Sequence, residues 1–408
     1  MSPLLVKAGG ILVAALTLGT GVYAAVVWWR THDDPIVESP EGREWPVLWV
    51  LAIVLLSRLW LLGIGSGVAS GILRGDWPDH TFMDLWNRWD APHYLDIARD
   101  GYQTQGDPRY FIVFYPLYPW LVRVLGWAAG DVFWASLILS NTCLGAACVL
   151  LYRLFCMDMD ADSAGWGIVF LCFSPLSFFL SIPYTESLYL LLTVCFFYSA
   201  RKGQWLWAGI AGYLAALSRN FGILLLVPVT VFAIEKWRRG DKKGWRGLAG
   251  CLVLIPAGLF TYLAVNKLIT GDWWTFMDYQ KEHWSNTFGF FGVNFMHHVG
   301  RFFYDNWNNI ITVFLPNVIA FVCSLGLLAY GVGKLPGAYM AYGIAYLVVA
   351  YSPTWLLSGG RYMLVLFPLW GILALAVKGK GRRLAALGVL SVISLYYCVL
   401  FDLGRSVL

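Results

Sequence analysis

Two carboxylates and two arginines stand out in this chain by where they fall. Asp90 lies in a polar, aromatic stretch, Asn87 to Tyr102, that also holds Arg88, Trp89, His93 and Tyr94. Glu186, Arg219 and Arg361 sit at or just inside the ends of apolar runs. Ionisable groups there are costly unless they are paired or face water, so they are functional candidates by default. Together these types suit group transfer. A carboxylate can take the proton of a sugar hydroxyl as general base. Arginines can hold a phosphate bidentately and stabilise it as a leaving group. A lipid phosphate would present its head group at that depth while its tail stays among the helices. The candidate set is Asp90 and His93 as catalytic groups, with Arg88, Trp89, Tyr94, Tyr184, Glu186, Arg219, Asn220, Arg361 and Tyr362 binding the donor phosphate and substrate.

Each residue also has a plainer reading. Asp90 precedes Ala91-Pro92-His93, which begins a short amphipathic helix, so it suits an N-cap, with Pro92 in the first turn. His93 alone fits a hydrogen-bonding structural histidine. Glu186 can partner the start of the helix after it, Arg219-Asn220 can be a charged turn, and Arg361 can snorkel to the interface. Trp273 and Trp274 read as interface anchors, and Asp272, Asp278 and His283 are weak signals.

The elements that must position these groups are membrane helices. The chain has 408 residues, 59% hydrophobic and 13% charged, with a net charge of +5. A soluble domain carries about 25% charged residues, so this is an all-α polytopic membrane protein, read as one domain over 1–408. Runs of about 20 apolar residues recur, each long enough for a ~30 Å hydrocarbon layer. Spans are expected near 11–29, 47–68, 131–155, 165–182, 184–200, 205–218, 221–235, 247–269, 308–331, 336–356, 361–377 and 384–403, giving about 11–12 membrane helices. Val22-Tyr23-Ala24 resembles a signal-peptidase site, but the apolar run continues to Trp29, which favours a retained helix. A polar linker follows from Arg30 to Trp45. Tyr110 to Trp127 carries Pro116 and Pro119 and reads as an interfacial or re-entrant element.

Lys and Arg concentrate at Arg201-Lys202, Lys236–Arg246, Lys334 and Lys378–Arg383. With these spans, all fall on one side, taken as cytoplasmic. The loops at 70–109 and 271–307, and every candidate site residue, then fall on the other. The eight cysteines lie in or at the ends of apolar runs and read as small buried hydrophobes, with neither a disulfide frame nor a metal site. No Walker-type loop, zincin motif or nucleophile elbow is present, so no cofactor is indicated, and nothing points to nucleic acid.

Trp89-Asp90-x-x-His93-Tyr94-x-x-Ile97-Ala98-x-x-Gly101-Tyr102, followed by Phe114-Tyr115-Pro116-Leu117-Tyr118-Pro119, resembles the first lumenal loop of the PIG-V family, the GPI mannosyltransferase 2 type. Ser174-Pro175 through Tyr184-Thr185-Glu186-Ser187-Leu188, Leu217 through Gly222, and Gly360-Arg361-Tyr362 leading to Phe367-Pro368 resemble the same family, in matching order. The resemblance implies a GT-C fold with a long first extracytoplasmic loop. It implies an inverting, metal-free transfer of a hexose, typically mannose, from a polyprenyl-phosphate donor, with Asp90 as base. His93 and Glu186 would orient groups around it, and Arg219 and Arg361 would hold the donor phosphate. The chain is short and loop-poor, which suggests a prokaryotic homologue in a plasma membrane, its site extracytoplasmic. The implied partners are membrane lipids, the polyprenyl-phosphate sugar and a lipid or glycan acceptor, with a partner subunit left open. The alternatives are a transporter or flippase of a lipid-linked sugar, against which stands the lack of repeated halves, and a non-catalytic scaffold.

Overall fold

The computed structural model describes residues 2–31, 45–75, 77, 79–241 and 243–407. The linker expected between Arg30 and Trp45 lies, apart from its ends, outside the described residues, as does Lys242 of the basic loop. Among the described residues the chain is helical, without strands; Phe288 and Pro353 form an isolated antiparallel bridge. The all-α polytopic class holds, with spans of unequal length. Among the described residues seven helices are long and apolar enough to cross a membrane: Pro3–Arg30, Val47–Leu73, Val132–Phe155, Asn220–Arg238, Trp245–Thr270, Trp307–Gly331 and Lys380–Asp402.

The remaining expected spans are shorter. The run at 165–182 becomes the helix Ala161–Cys172 followed by a 3-10 turn, Ser177–Leu180. That at 361–377 divides into Gly359–Leu364 and Pro368–Ala376. The run at 336–356 keeps only Gly337–Ala350. Pro175, Pro183, Pro353 and Pro368 account for the breaks, because each lacks an N–H and clashes with a preceding helical turn. The element at Tyr110–Trp127 is bent by 112° between Asp107–Val113 and Leu117–Ala129.

The short helices form the middle of the bundle. Trp205–Ser218 packs against both Glu186–Arg201 and Trp245–Thr270. Small residues set that closeness: a Cβ on Gly212 would meet Ile255, and one on Gly258 would meet the Tyr213 carbonyl. An aromatic core of Tyr189, Phe197, Tyr339, Tyr342 and Phe367 fills the interior, with the Tyr189 and Tyr342 hydroxyls 3.0 Å apart. The helix Pro3–Arg30 runs unbroken through Val22-Tyr23-Ala24 and packs on Phe291–Arg301 and Gly337–Ala350.

The two ends of the bundle differ. At one, Arg201 pairs with Asp158 at 2.8 Å and Arg383 pairs with Asp162. At the other lie Asp90, Glu186, Arg219 and Arg361. The eight cysteines are free, and Cys323 is exposed rather than buried.

Candidate active site

Asp90 is delivered by two short elements. Thr81 and Asp84 form a reciprocal capping box that starts the turn Phe82–Trp86. The chain then reverses through Trp89, whose φ of 59° lies in the left-handed region that non-glycine residues seldom occupy. Asp90 follows at the N-cap position of Ala91–Asp100, with Pro92 in the first turn. Its carboxylate makes no capping bond, which corrects the plain reading. The helix buries Tyr94, Leu95 and Ala98. It is held at its far end by Arg123, whose Nε donates to the Ala98 carbonyl at 2.6 Å, a cation on the negative end of the helix. Tyr184 secures the near end. Its hydroxyl accepts the Asp90 N–H at 3.2 Å and donates to the Arg88 carbonyl at 3.0 Å.

The freed Asp90 carboxylate faces Arg361, whose Nη1 lies 2.8 Å from Oδ2. Arg361 Nε is in turn 3.3 Å from Glu186 Oε1, and the same oxygen lies 2.8 Å from Arg219 Nη1. The four side chains form one chain, Asp90–Arg361–Glu186–Arg219, of two negative and two positive charges. Glu186 is 1% exposed, Arg361 6% and Arg219 9%, while the Asp90 side chain is 26% exposed. The buried charges are therefore shared, and the end that opens to the outside is a carboxylate.

Local sequence explains the convergence. Glu186 is the first residue of its helix, just after the Pro183 break. Arg219 closes Trp205–Ser218 in extended conformation, and the 3-10 turn Asn220–Leu225 folds back on that helix. Gly222 permits this, since a Cβ there would lie 2.3 Å from the Ala215 and Ala216 backbone. Arg361 follows Gly359-Gly360, where Asn317 Oδ1 accepts the Gly360 N–H at 3.0 Å. Its guanidinium lies over the rings of Tyr184 and Tyr362, 5.2 and 5.8 Å from their centroids. Neither the charged-turn reading of Arg219 nor the snorkelling reading of Arg361 describes these buried, paired groups.

The other candidates divide. Tyr94, Tyr184 and Tyr362 line the cluster. Trp89 is 37% exposed at its mouth. The His93 ring lies 4.3 Å from Phe111 and 5.2 Å from Phe114, with Nδ1 buried and lacking a hydrogen-bond partner among the described residues. Burial lowers its pKa, against the opposing pull of Asp90, so the ring is neutral near pH 7. Two placements correct the reading of the sequence. The Arg88 guanidinium turns to the Leu85 carbonyl and toward Gly404, and only its backbone carbonyl serves the site. Asn220 is exposed and the structure gives it no bond to the cluster.

The loop 271–307 sits over the first loop. Glu282 accepts the Tyr110 hydroxyl at 2.6 Å, and His283 stacks on Tyr110 at 4.4 Å. The same loop reaches the segment before Arg361, where the Gly289 N–H donates to the Ser352 carbonyl at 2.8 Å. Asp272 accepts the Trp274 N–H in a local turn. Arg123, which holds the helix after Asp90, and Arg58, which ties the segment before Tyr184, have structural parts beside the site that the candidate set omits. A lone arginine within an apolar span was the signal available for Arg58. Among the described residues no group of three His, Cys, Asp or Glu is arranged to hold a metal.

No family model matches the chain. It is 26% identical over 147 residues to GPI mannosyltransferase 2 of Schizosaccharomyces pombe, covering 35% of this chain and 31% of that protein. The chain thus matches about a third of that relative's length. Among solved structures it is similar to ArnT from Cupriavidus metallidurans bound to undecaprenyl phosphate. The TM-score is 0.53 at 17% identity, over 84% of this chain and 62% of that one. It is also similar to the apo oligosaccharyltransferase of Archaeoglobus fulgidus, with a TM-score of 0.50 at 14% identity, over 88% and 56% of the two chains. The fold is that of GT-C membrane glycosyltransferases, as the resemblance implied.

Proposed function

We propose that the protein is a membrane glycosyltransferase that moves a hexose, mannose by the relative it matches, from a polyprenyl phosphate to a lipid-linked or envelope acceptor. The observation that carries this is the half-open carboxylate of Asp90 on a buried, shared arginine pair. Asp90 takes the proton of the acceptor hydroxyl as that oxygen bonds to C1 of the sugar. The C1–O bond to phosphate breaks, and the charge that develops on the leaving phosphate is met by the Arg361 guanidinium. Attack from the face opposite the phosphate inverts C1. Undecaprenyl phosphate on the ArnT structure supports a polyprenyl-phosphate donor.

Glu186 has a supporting part in this scheme. Two guanidiniums side by side repel, and a buried carboxylate between them keeps both in place without taking up the Asp90 base. In the structure Arg361 also holds Asp90. Incoming phosphate would compete for that guanidinium, so donor binding would free the carboxylate at the moment a base is needed.

The test is a transfer assay with purified protein in nanodiscs, using radiolabelled polyprenyl-phosphate mannose and a lipid extract of the source cell. Wild type should form a labelled lipid or glycan product. Asp90→Asn should insert and fold but lose at least about 100-fold in rate. Full activity in a folded Asp90→Asn removes Asp90 as the base. Donor binding without any transfer, equal in both proteins, would move the reading to a transporter of lipid-linked sugar.

A further inference from the structure

A charged residue that the reaction does not use lies near the middle of the second apolar span. Arg58 ends the helix Val47–Arg58, just before a π-helical turn, Leu59–Gly65, and is 7% exposed. A buried cation at such depth is costly unless its donors are met. Among the described residues no carboxylate is within ion-pairing distance, and its partners are carbonyls and hydroxyls. Nη2 donates to the Cys172 carbonyl at 2.7 Å; Nη1 donates to the Ser177 carbonyl at 2.6 Å and Ser181 Oγ at 3.0 Å; Nε donates to Ser57 Oγ at 3.2 Å.

All of these acceptors but Ser57, which is on Arg58's own helix, belong to one segment. Cys172 is the last residue of Ala161–Cys172, and Ser177 and Ser181 bracket the 3-10 turn that follows. Helix ends leave carbonyls unpaired, and within a membrane such backbone groups need a protein partner. Arg58 fills that need, together with the Ser177 hydroxyl, which donates to the Cys172 carbonyl at 2.8 Å, and places its charge at the negative end of the helix. Asn141 adds a second tie, donating to the Ser181 carbonyl at 3.0 Å. Three residues beyond Ser181 is Tyr184, whose hydroxyl holds the Asp90 N–H and the Arg88 carbonyl. Two residues further is Glu186, which holds both site arginines.

We propose that Arg58 is a positioning residue for the site: by tying Cys172, Ser177 and Ser181 together it sets where Tyr184 and Glu186 stand, and through Tyr184 the backbone of Asp90. Arginine is required because its planar fork meets acceptors in three directions, which a lysine ammonium on one flexible stem does not reproduce. The site's activity readout rests on the glycosyl-transfer reading; the conformational readout does not.

The experiment is amide hydrogen exchange on the full chain in nanodiscs, comparing wild type, Arg58→Lys, Tyr184→Phe and the double variant, with transfer rates alongside. Arg58→Lys should leave the long spans protected and speed exchange about tenfold both in 174–187 and in 88–94. The double variant should exchange in 88–94 no faster than Tyr184→Phe, because the two act through one link. The transfer rate at saturating donor should fall at least about tenfold with the unfolding midpoint kept. Exchange that rises only around 172–181, rises evenly over all helices, adds between the two substitutions, or stays at wild-type level overturns the proposal. Should Arg58→Lys not fold, Ser181→Ala removes one acceptor and is read in the same way. If wild type transfers nothing, the reaction proposed above fails while the exchange pattern still decides the role of Arg58.

Discussion

The two ends of the bundle solve the same electrostatic problem differently. At the end bearing Lys334 and Lys380, two arginines pair with two different carboxylates: Arg201 pairs with Asp158, and Arg383 pairs with Asp162 and donates to Ser163 at 3.0 Å. Asp158 also accepts the Tyr339 hydroxyl at 2.9 Å. These are staples between helix ends. At the opposite end two arginines share two carboxylates in a line, and one carboxylate is left partly open. Pairing between separate helix ends spends its hydrogen bonds on the fold. Sharing leaves a group whose partner a substrate can take.

The comparison can be broken in order of effect. Glu186→Gln leaves the buried Arg219 without a carboxylate and Arg361 with Asp90 alone, and breaking a buried ion pair from one side costs about 3–5 kcal/mol. Both the unfolding midpoint and transfer should collapse, measured by thermal unfolding in detergent and by the label assay. An active, stable Glu186→Gln would mean that the arginines stand without it. At the other end Asp158→Asn should cost stability of similar kind, softened by the remaining Tyr339 hydrogen bond. Its rate per folded molecule should match wild type, because nothing there touches the site. A rate loss exceeding the loss of folded protein would erase the distinction between the two ends.

A smaller effect comes from pH. His298, 7% exposed beside Phe314, has its pKa lowered to about 4 by burial, with Arg301 and His297 adding like charge. Its folded value lies below the ordinary 6.5, so the unfolded state binds the proton first as pH falls. The stabilisation it allows is complete above pH 6.5 and is lost as pH falls from there toward about 4. The midpoint should drop over that range, and His298→Phe should flatten the slope. The smallest effect is expected at the exposed pair Arg99–Asp96, 3.1 Å apart and about half exposed. Asp96→Ala should change stability by less than about 1 kcal/mol and leave transfer alone, although it lies only six residues from Asp90.

How much of this was readable in the sequence differs from residue to residue. Glu186, Arg219 and Arg361 announced themselves as ionisable groups at the ends of apolar runs, and their meeting requires only that those ends lie at one face. Their sharing of Glu186 was not readable, because it depends on Gly222 letting one backbone approach another and on Gly360 seating against the Leu176 side chain with its N–H on Asn317. Asp90 looked like a cap, and at the cap position its side chain instead turned to a residue 271 positions away, a choice that no local pattern contains. Arg88, in the polar stretch beside Asp90, and Asn220, within a matching motif, stand outside the cluster, since nearness in sequence does not fix the direction of a side chain. The bounds of several spans were not readable because hydropathy marks apolar runs and is blind to the prolines that shorten them.

Two short helices have a consequence for where the quartet stands. Trp205–Ser218 has 14 residues and Glu186–Arg201 has 16, about 21 and 24 Å at 1.5 Å per residue, whereas Trp245–Thr270 has 26, about 39 Å. Both short helices have one end at the basic face and the other at the quartet. The quartet therefore stands at the end of helices at least about 15 Å shorter than Trp245–Thr270, and on the proposed function this depth suits a lipid-borne phosphate. A polyprenyl carrier can present its phosphate there while its chain stays in the bilayer. For such a substrate the relevant concentration is its mole fraction among lipids, and the apparent donor affinity should follow dilution with phospholipid rather than the volume of the assay.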